Sequence, residues 1–185
     1  MYEAFKARAE AVSAEVHRVA ARADALEFIA KFLAAEGVAD QPGDYAVWAD
    51  DSSLSEAERR SLAGRVPGLR FEVTRETAAA AKVGITRMDW AVAQTGTLVT
   101  DSTTVASRLA SSLPTIHVAL VSIGRIVPEI GAALARIGPE RCGYIACITG
   151  PSRTADIERV LTIGVHGPAR LIVVFVDEPL TSEER

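Results

Sequence analysis

The chain has 185 residues, 49% of them apolar and 24% charged, and a net charge of −4. That length suits one domain, the composition excludes extensive disorder, and the acidic balance argues against a nucleic-acid partner. The apolar run Leu171–Val176 falls far short of the ~20 residues that a membrane-spanning helix needs. The first ten residues, MYEAFKARAE, are amphipathic and charged and lack an apolar signal core, so a cytoplasmic location is expected.

From Tyr2 to Leu33 apolar residues recur with 3,4 spacing, which read alone is one long helix or a coiled-coil seam. The competing reading is a helix over Tyr2–Ser13, a strand over Glu15–Val19 and a second helix reaching Glu36, with Asp24 and Glu27 as a capping box. Gln41-Pro42-Gly43-Asp44 is a turn. Beyond it, β-rich runs fall at Tyr45–Trp48, Leu69–Val73, Lys82–Thr86, Thr97–Thr100, Thr115–Val121, Tyr144–Thr149 and Arg170–Val176. Helices are expected over Ser55–Ala63, Arg75–Ala81, Thr103–Ser112, Ile126–Ile137 and Thr154–Ile163. The first of these opens on the capping box Ser55/Glu58. Strands alternating with helices predict a mainly parallel sheet with helices on both faces; Gly96 allows one antiparallel pair. No linker or internal repeat divides the chain, so one domain over 1–185 is expected, with an N-terminal helical segment over 1–36.

The two cysteines, Cys142 and Cys147, fall on opposite faces if their stretch is a strand, and both read as small buried residues. Two thiols are too few for an iron–sulfur cluster, which takes about four. Signatures of a P-loop, a dinucleotide site, an α/β-hydrolase elbow and a zincin are all absent from the sequence.

Three glycine-bearing polar turns carry the candidate chemistry. In Gly150-Pro151-Ser152-Arg153-Thr154, an apolar strand leads into the expected helix. Gly150 permits close backbone approach, Ser152 or Thr154 can cap the helix, and Arg153 adds a cation beside its N–H groups, a combination suited to an anion. Gln94-Thr95-Gly96-Thr97 gathers an amide and two hydroxyls, as an oxyanion cradle or a plain β-turn would. In Gly164-Val165-His166-Gly167-Pro168, His166 is a candidate acid, base or hydrogen-bond donor. His117 reads as a core or rim histidine inside a buried strand, and no metal site is expected from three dispersed histidines. Gln94 to Thr97, Gly150 to Thr154, His166 and Gly167 are therefore expected to converge on one cleft at the carboxyl ends of the strands.

Gln94-Thr95-Gly96-Thr97-Leu98, Leu113-Pro114-Thr115-Ile116-His117, the run from Gly150 to Glu158 and Gly164-Val165-His166-Gly167-Pro168 together closely resemble the LUD-domain family. The resemblance covers most of the chain. It implies the fold of the sugar-phosphate isomerase and CoA-transferase-like superfamily, a three-layer α/β/α sandwich around a mostly parallel sheet. It also tips the N-terminus toward helix, strand, helix. It further implies a role in oxidising L-lactate to pyruvate with iron–sulfur partner proteins, and a small carboxylate or phosphate ligand. It assigns this chain no catalytic residue and no cofactor. Many relatives carry a carboxylate where this sequence has Gln94. A glutamine cannot form the acyl intermediate of a CoA transferase, which weakens that mechanism here. A stand-alone enzyme on a phosphorylated sugar or acyl-CoA, and a purely structural subunit, are the alternatives.

Overall fold

The structure is a computed structural model that describes residues 1–49, 53–138, 140–155 and 161–181, with only the backbone at 154, 155 and 161–163. The chain opens with α1 (Tyr2–Ala11), β1 (Ala14–Val19) and α2 (Arg22–Ala35). The long-helix reading fails at Ser13, a non-glycine residue at φ 71°, a left-handed turn that stops α1. The 3,4 spacing survives because each segment buries its own stripe. Phe5 and Ala9, then Val16, then Ile29 and Leu33 are all buried, in two separate clusters. At the start of α2, Asp24 accepts from the Ala21 N–H at 3.1 Å. Glu27 instead pairs with Arg65 of the next helix.

Then follow β2 (Tyr45–Ala49), α3 (Glu56–Arg65), β3 (Leu69–Arg70), α4 (Arg75–Ala79), β4 (Ala81–Arg87), β5 (Trp90–Val92), β6 (Thr97–Asp101), α5 (Val105–Ser112) and β7 (Ile116–Ser122). The chain continues with β8 (Ile126–Val127), α6 (Ile130–Ile137), β9 (Ile145–Ile148), β10 (Arg153–Ala155), β11 (Leu161–Ile163) and β12 (Arg170–Val176). The Ser55/Glu58 box forms as expected, with the Ser55 N–H donating to Glu58 at 2.7 Å and the Glu58 N–H to Ser55 Oγ at 3.3 Å.

Two expected helices are corrected. The one over Ile126–Ile137 begins only at Ile130, because Pro128 disfavours helical backbone before it; Ile126–Val127 pairs with Ala91–Val92 instead. The one over Thr154–Ile163 is replaced at both ends by antiparallel pairing of β10 with β11; residues 156–160 lie outside the described residues. β-branched Thr154, Thr162 and Ile163 suit that pairing, and the Gly164 N–H donating to the Ser152 carbonyl at 2.9 Å closes its base.

Six strands form one sheet in the order β1-β12-β7-β4-β2-β3, and every pair in it is parallel. The fold is α/β, as expected. Register places Val47, Gly84, His117 and Leu171 side by side on one face, and Trp48, Ile85, Val118 and Ile172 on the other. The second face buries Ile29 and Leu33 of α2 and Leu62 of α3. The first face is covered by α1, α4, α5 and a second sheet, β8-β5-β6-β9, in which β6 is antiparallel to both neighbours. Among the described residues, no helix is long and apolar enough to cross a membrane.

Candidate functional site

Gly84 determines how α5 meets the sheet. A Cβ there would lie 1.8 Å from the Ala110 carbonyl oxygen, so only glycine lets the end of α5 rest on β4. That contact carries Ser111 and Ser112 to the mouth of a cavity of about 360 Å³. Its other walls are His117 at the start of β7, Leu171 at the start of β12, the run from Cys147 at the end of β9 to Arg153, and the His166-Gly167-Pro168 turn. The volume falls in the range of small-molecule sites.

The cavity is held from behind by the N-terminal segment. Gly150, at φ 69°, brings its backbone so close to α1 that a Cβ would meet the Val12 carbonyl oxygen at 2.5 Å. Arg153 Nη2 donates to the same carbonyl at 2.6 Å and to Ser13 Oγ at 3.1 Å. The Ser152 N–H donates to the Pro168 carbonyl at 2.8 Å, joining two of the three polar turns.

Six candidate residues, Gly150, Pro151, Ser152, Arg153, His166 and Gly167, line this one cavity. The side chain of Thr154 lies outside the described residues. Gln94 to Thr97 do not line it. They form the β5–β6 turn, with Gln94 and Thr95 exposed and Gly96 pressed against Ala9. Thr97 reaches the wall indirectly, through Thr149 Oγ1 at 2.8 Å.

Two further corrections concern position. The cavity opens at the amino ends of β7 and β12, not at their carboxyl ends, because Gly150 follows a strand of the second sheet. The anion site expected at a helix start is not formed, since the backbone at Arg153 is extended. Cys147, expected to be buried, is exposed and lines the cavity. Cys142 is half-buried, outside β9.

Arg153 is the one permanently charged side chain among the described lining residues. His117 is 1% exposed, with Nε2 2.8 Å from Thr86 Oγ1. Burial pushes its imidazole down to about 4, so it is neutral at pH 7. Partial desolvation at the cavity wall pushes the thiol of the otherwise exposed Cys147 up, away from thiolate chemistry. Sequence reasoning did not assign Ser111, Ser112, His117, Cys147 or Thr149 to the site. The signal available for His117 was a polar residue inside an otherwise apolar strand.

The sequence profile of the LUD domain matches residues 2–176. The chain belongs to the LUD-domain family. Among similar proteins, the lactate utilization protein C of Exiguobacterium sp. is 38% identical over 113 residues, 58% of this chain and 49% of that protein. That of Halalkalibacterium halodurans is 35% identical over 109 residues, 56% of this chain and 47% of that protein. These alignments span about half the length of the curated relatives. A crystal structure of a DUF162 family protein from Deinococcus radiodurans has the same fold, with a TM-score of 0.66 at 22% identity over 95% of each chain. In this LUD domain the region after β9 and the turn before β12 thus meet around one concave site.

Proposed function

We propose that this chain serves lactate utilisation in the cytoplasm, holding a small carboxylate or phosphate in the cavity at the amino ends of β7 and β12. The observation that carries this reading is the placement of Arg153 at the wall of a cavity otherwise lined by hydroxyls, imidazoles and apolar groups. One fixed cation among neutral donors suits a small anion. The names of the relatives supply the pathway. Iron–sulfur proteins are the partners that the family resemblance implies for this reading, and the two cysteines of this chain are too few to hold a cluster of about four thiolates themselves. Gln94 stands on an exposed turn away from the cavity, which speaks further against an acyl-transfer role for that position.

The test is a calorimetric titration of the full chain with L-lactate, pyruvate and inorganic phosphate. Arg153→Gln is expected to weaken binding of the preferred anion by about tenfold or more, as a charge-assisted contact of roughly 1.5–3 kcal/mol requires. The same change removes the bonds to Val12 and Ser13, so the melting temperature should fall by about 3 °C, the equivalent of about 1 kcal/mol at this chain length. Unchanged affinity with lowered stability would make the arginine a brace and no more.

The division of labour is tested separately. The purified chain is expected to contain no iron, to be colourless and to leave dye unreduced in the presence of lactate. Lactate-dependent dye reduction by this chain alone would make it the oxidase itself.

A further inference from the structure

His117 is the most deeply buried polar residue of the cavity wall, and its bonding leaves something over. Nε2 is taken by Thr86 Oγ1 at 2.8 Å. Nδ1 has no hydrogen-bond partner among the described residues, although the side chain is 1% exposed and lines the cavity. Among the described residues only Trp48 Nε1 is sealed in without a partner, so His117 Nδ1 keeps an open side, and the surface His117 offers is the cavity wall.

Thr86 decides which imidazole nitrogen carries the proton. It is 2% exposed, and its hydroxyl has no partner other than His117 among the described residues. If Thr86 accepted from Nε2–H, its own proton would be buried with nothing to receive it. If Thr86 donates to Nε2, that proton is satisfied and the imidazole proton sits on Nδ1. We propose that His117 is a ligand-contacting residue, held by Thr86 as the Nδ1–H tautomer so that it donates a hydrogen bond to an acceptor oxygen of the anion at the floor of the cavity. The neutral state imposed by burial fits this role, since an imidazolium would donate from both nitrogens and release Thr86. The donor selects a small anion whose inner end presents a bare acceptor, be it a carboxylate or phosphate oxygen or the keto oxygen of a 2-oxo acid such as pyruvate. The inference rests on the reading of the cavity as an anion site.

The test uses the full chain with histidine ring nitrogens labelled with nitrogen-15. Two-bond nitrogen–proton spectra of the ligand-free protein should show His117 protonated at Nδ1, and Thr86→Val should abolish that preference. Addition of pyruvate should shift the His117 Nδ1 resonance. By calorimetry, His117→Phe should weaken pyruvate binding about tenfold, with partial recovery in His117→Gln, whose amide can donate. A proton on Nε2 in the wild-type protein overturns the proposal without any ligand. Loss of pyruvate affinity in Arg153→Gln but not in His117→Phe overturns it while leaving the anion site standing. Pyruvate, L-lactate and phosphate all failing to perturb any resonance of the cavity overturns both.

Discussion

Gly84→Ala should be among the most damaging single substitutions in this chain. The added methyl would lie 1.8 Å from the Ala110 carbonyl oxygen and 2.9 Å from Pro114 Cγ. Both are backbone or ring atoms, so no side chain can swing aside. Relief requires α5 to lift from β4, which opens the cluster formed by Val47, Ala78, Ala81 and Ala110. Overpacking ordinarily costs about 1–3 kcal/mol; a backbone clash this close belongs at the upper end or beyond, a fall in melting temperature of about 10 °C. The same displacement carries Ser111 and Ser112 away from the cavity mouth, so ligand affinity should fall too. Gly131→Ala is the control, because it adds a methyl to a helix where nothing lies within 4 Å; it should be neutral or stabilising by up to about 1 kcal/mol. A Gly84→Ala protein melting within a degree of wild type would refute the close seating of α5.

The pH dependence of stability provides the second large effect. An unfolded histidine titrates near 6.5, whereas His117 in the folded chain is held at about 4 by burial. Between those values the unfolded chain takes up a proton that the folded chain refuses. Stability therefore falls as pH drops from 6.5 toward 4, by up to about 3 kcal/mol in all, and this contribution is flat above pH 6.5. Glu27, Glu58, Glu76 and Asp101 are held below their ordinary values by hydrogen bonds and neighbouring cations, although burial opposes this and is the largest influence on Glu58. Their stabilisation is lost at lower pH, through the carboxylate range. Urea unfolding at pH 7, 6 and 5 should thus show a slope in the wild type that His117→Gln largely removes. Equal slopes in the two proteins would show that His117 is not held neutral.

Much of the architecture was legible in the residues. The strand at Arg170–Val176 appears with the bounds its aliphatic run suggests, and the Ser55/Glu58 box caps α3. What was not legible came from partners distant in sequence. At 154–155 and 161–163 the expected helix gives way to antiparallel pairing, a choice made by tertiary context and not by local propensity. The 3,4 spacing of the N-terminus reports burial faithfully but not continuity, since one left-handed residue at Ser13 reorients everything after it. For the site, Gly150 to Arg153 and the His166 turn could be picked out as polar groups beside apolar strands. Their location could not, because strand ends in a sequence carry no label saying which sheet they belong to. His117 was legible as buried, but its role as a wall depends on Gly84 opposite it, 33 positions earlier in the numbering.

The edge strand β1 pairs with β12 alone, and the ion pair of Glu15 with Arg170 joins residues 155 positions apart. During synthesis β1 has no strand to join until β12, more than 150 positions later, has left the ribosome. At about 5–20 residues per second that interval is on the order of ten seconds or more. For that period α1 and β1 trail as an unpaired segment with Phe5 and Val16 uncovered, a natural target for chaperones. The back wall of the cavity, built on Val12 and Ser13, therefore waits on β12, and a nascent chain acquires its site only after that strand has been made.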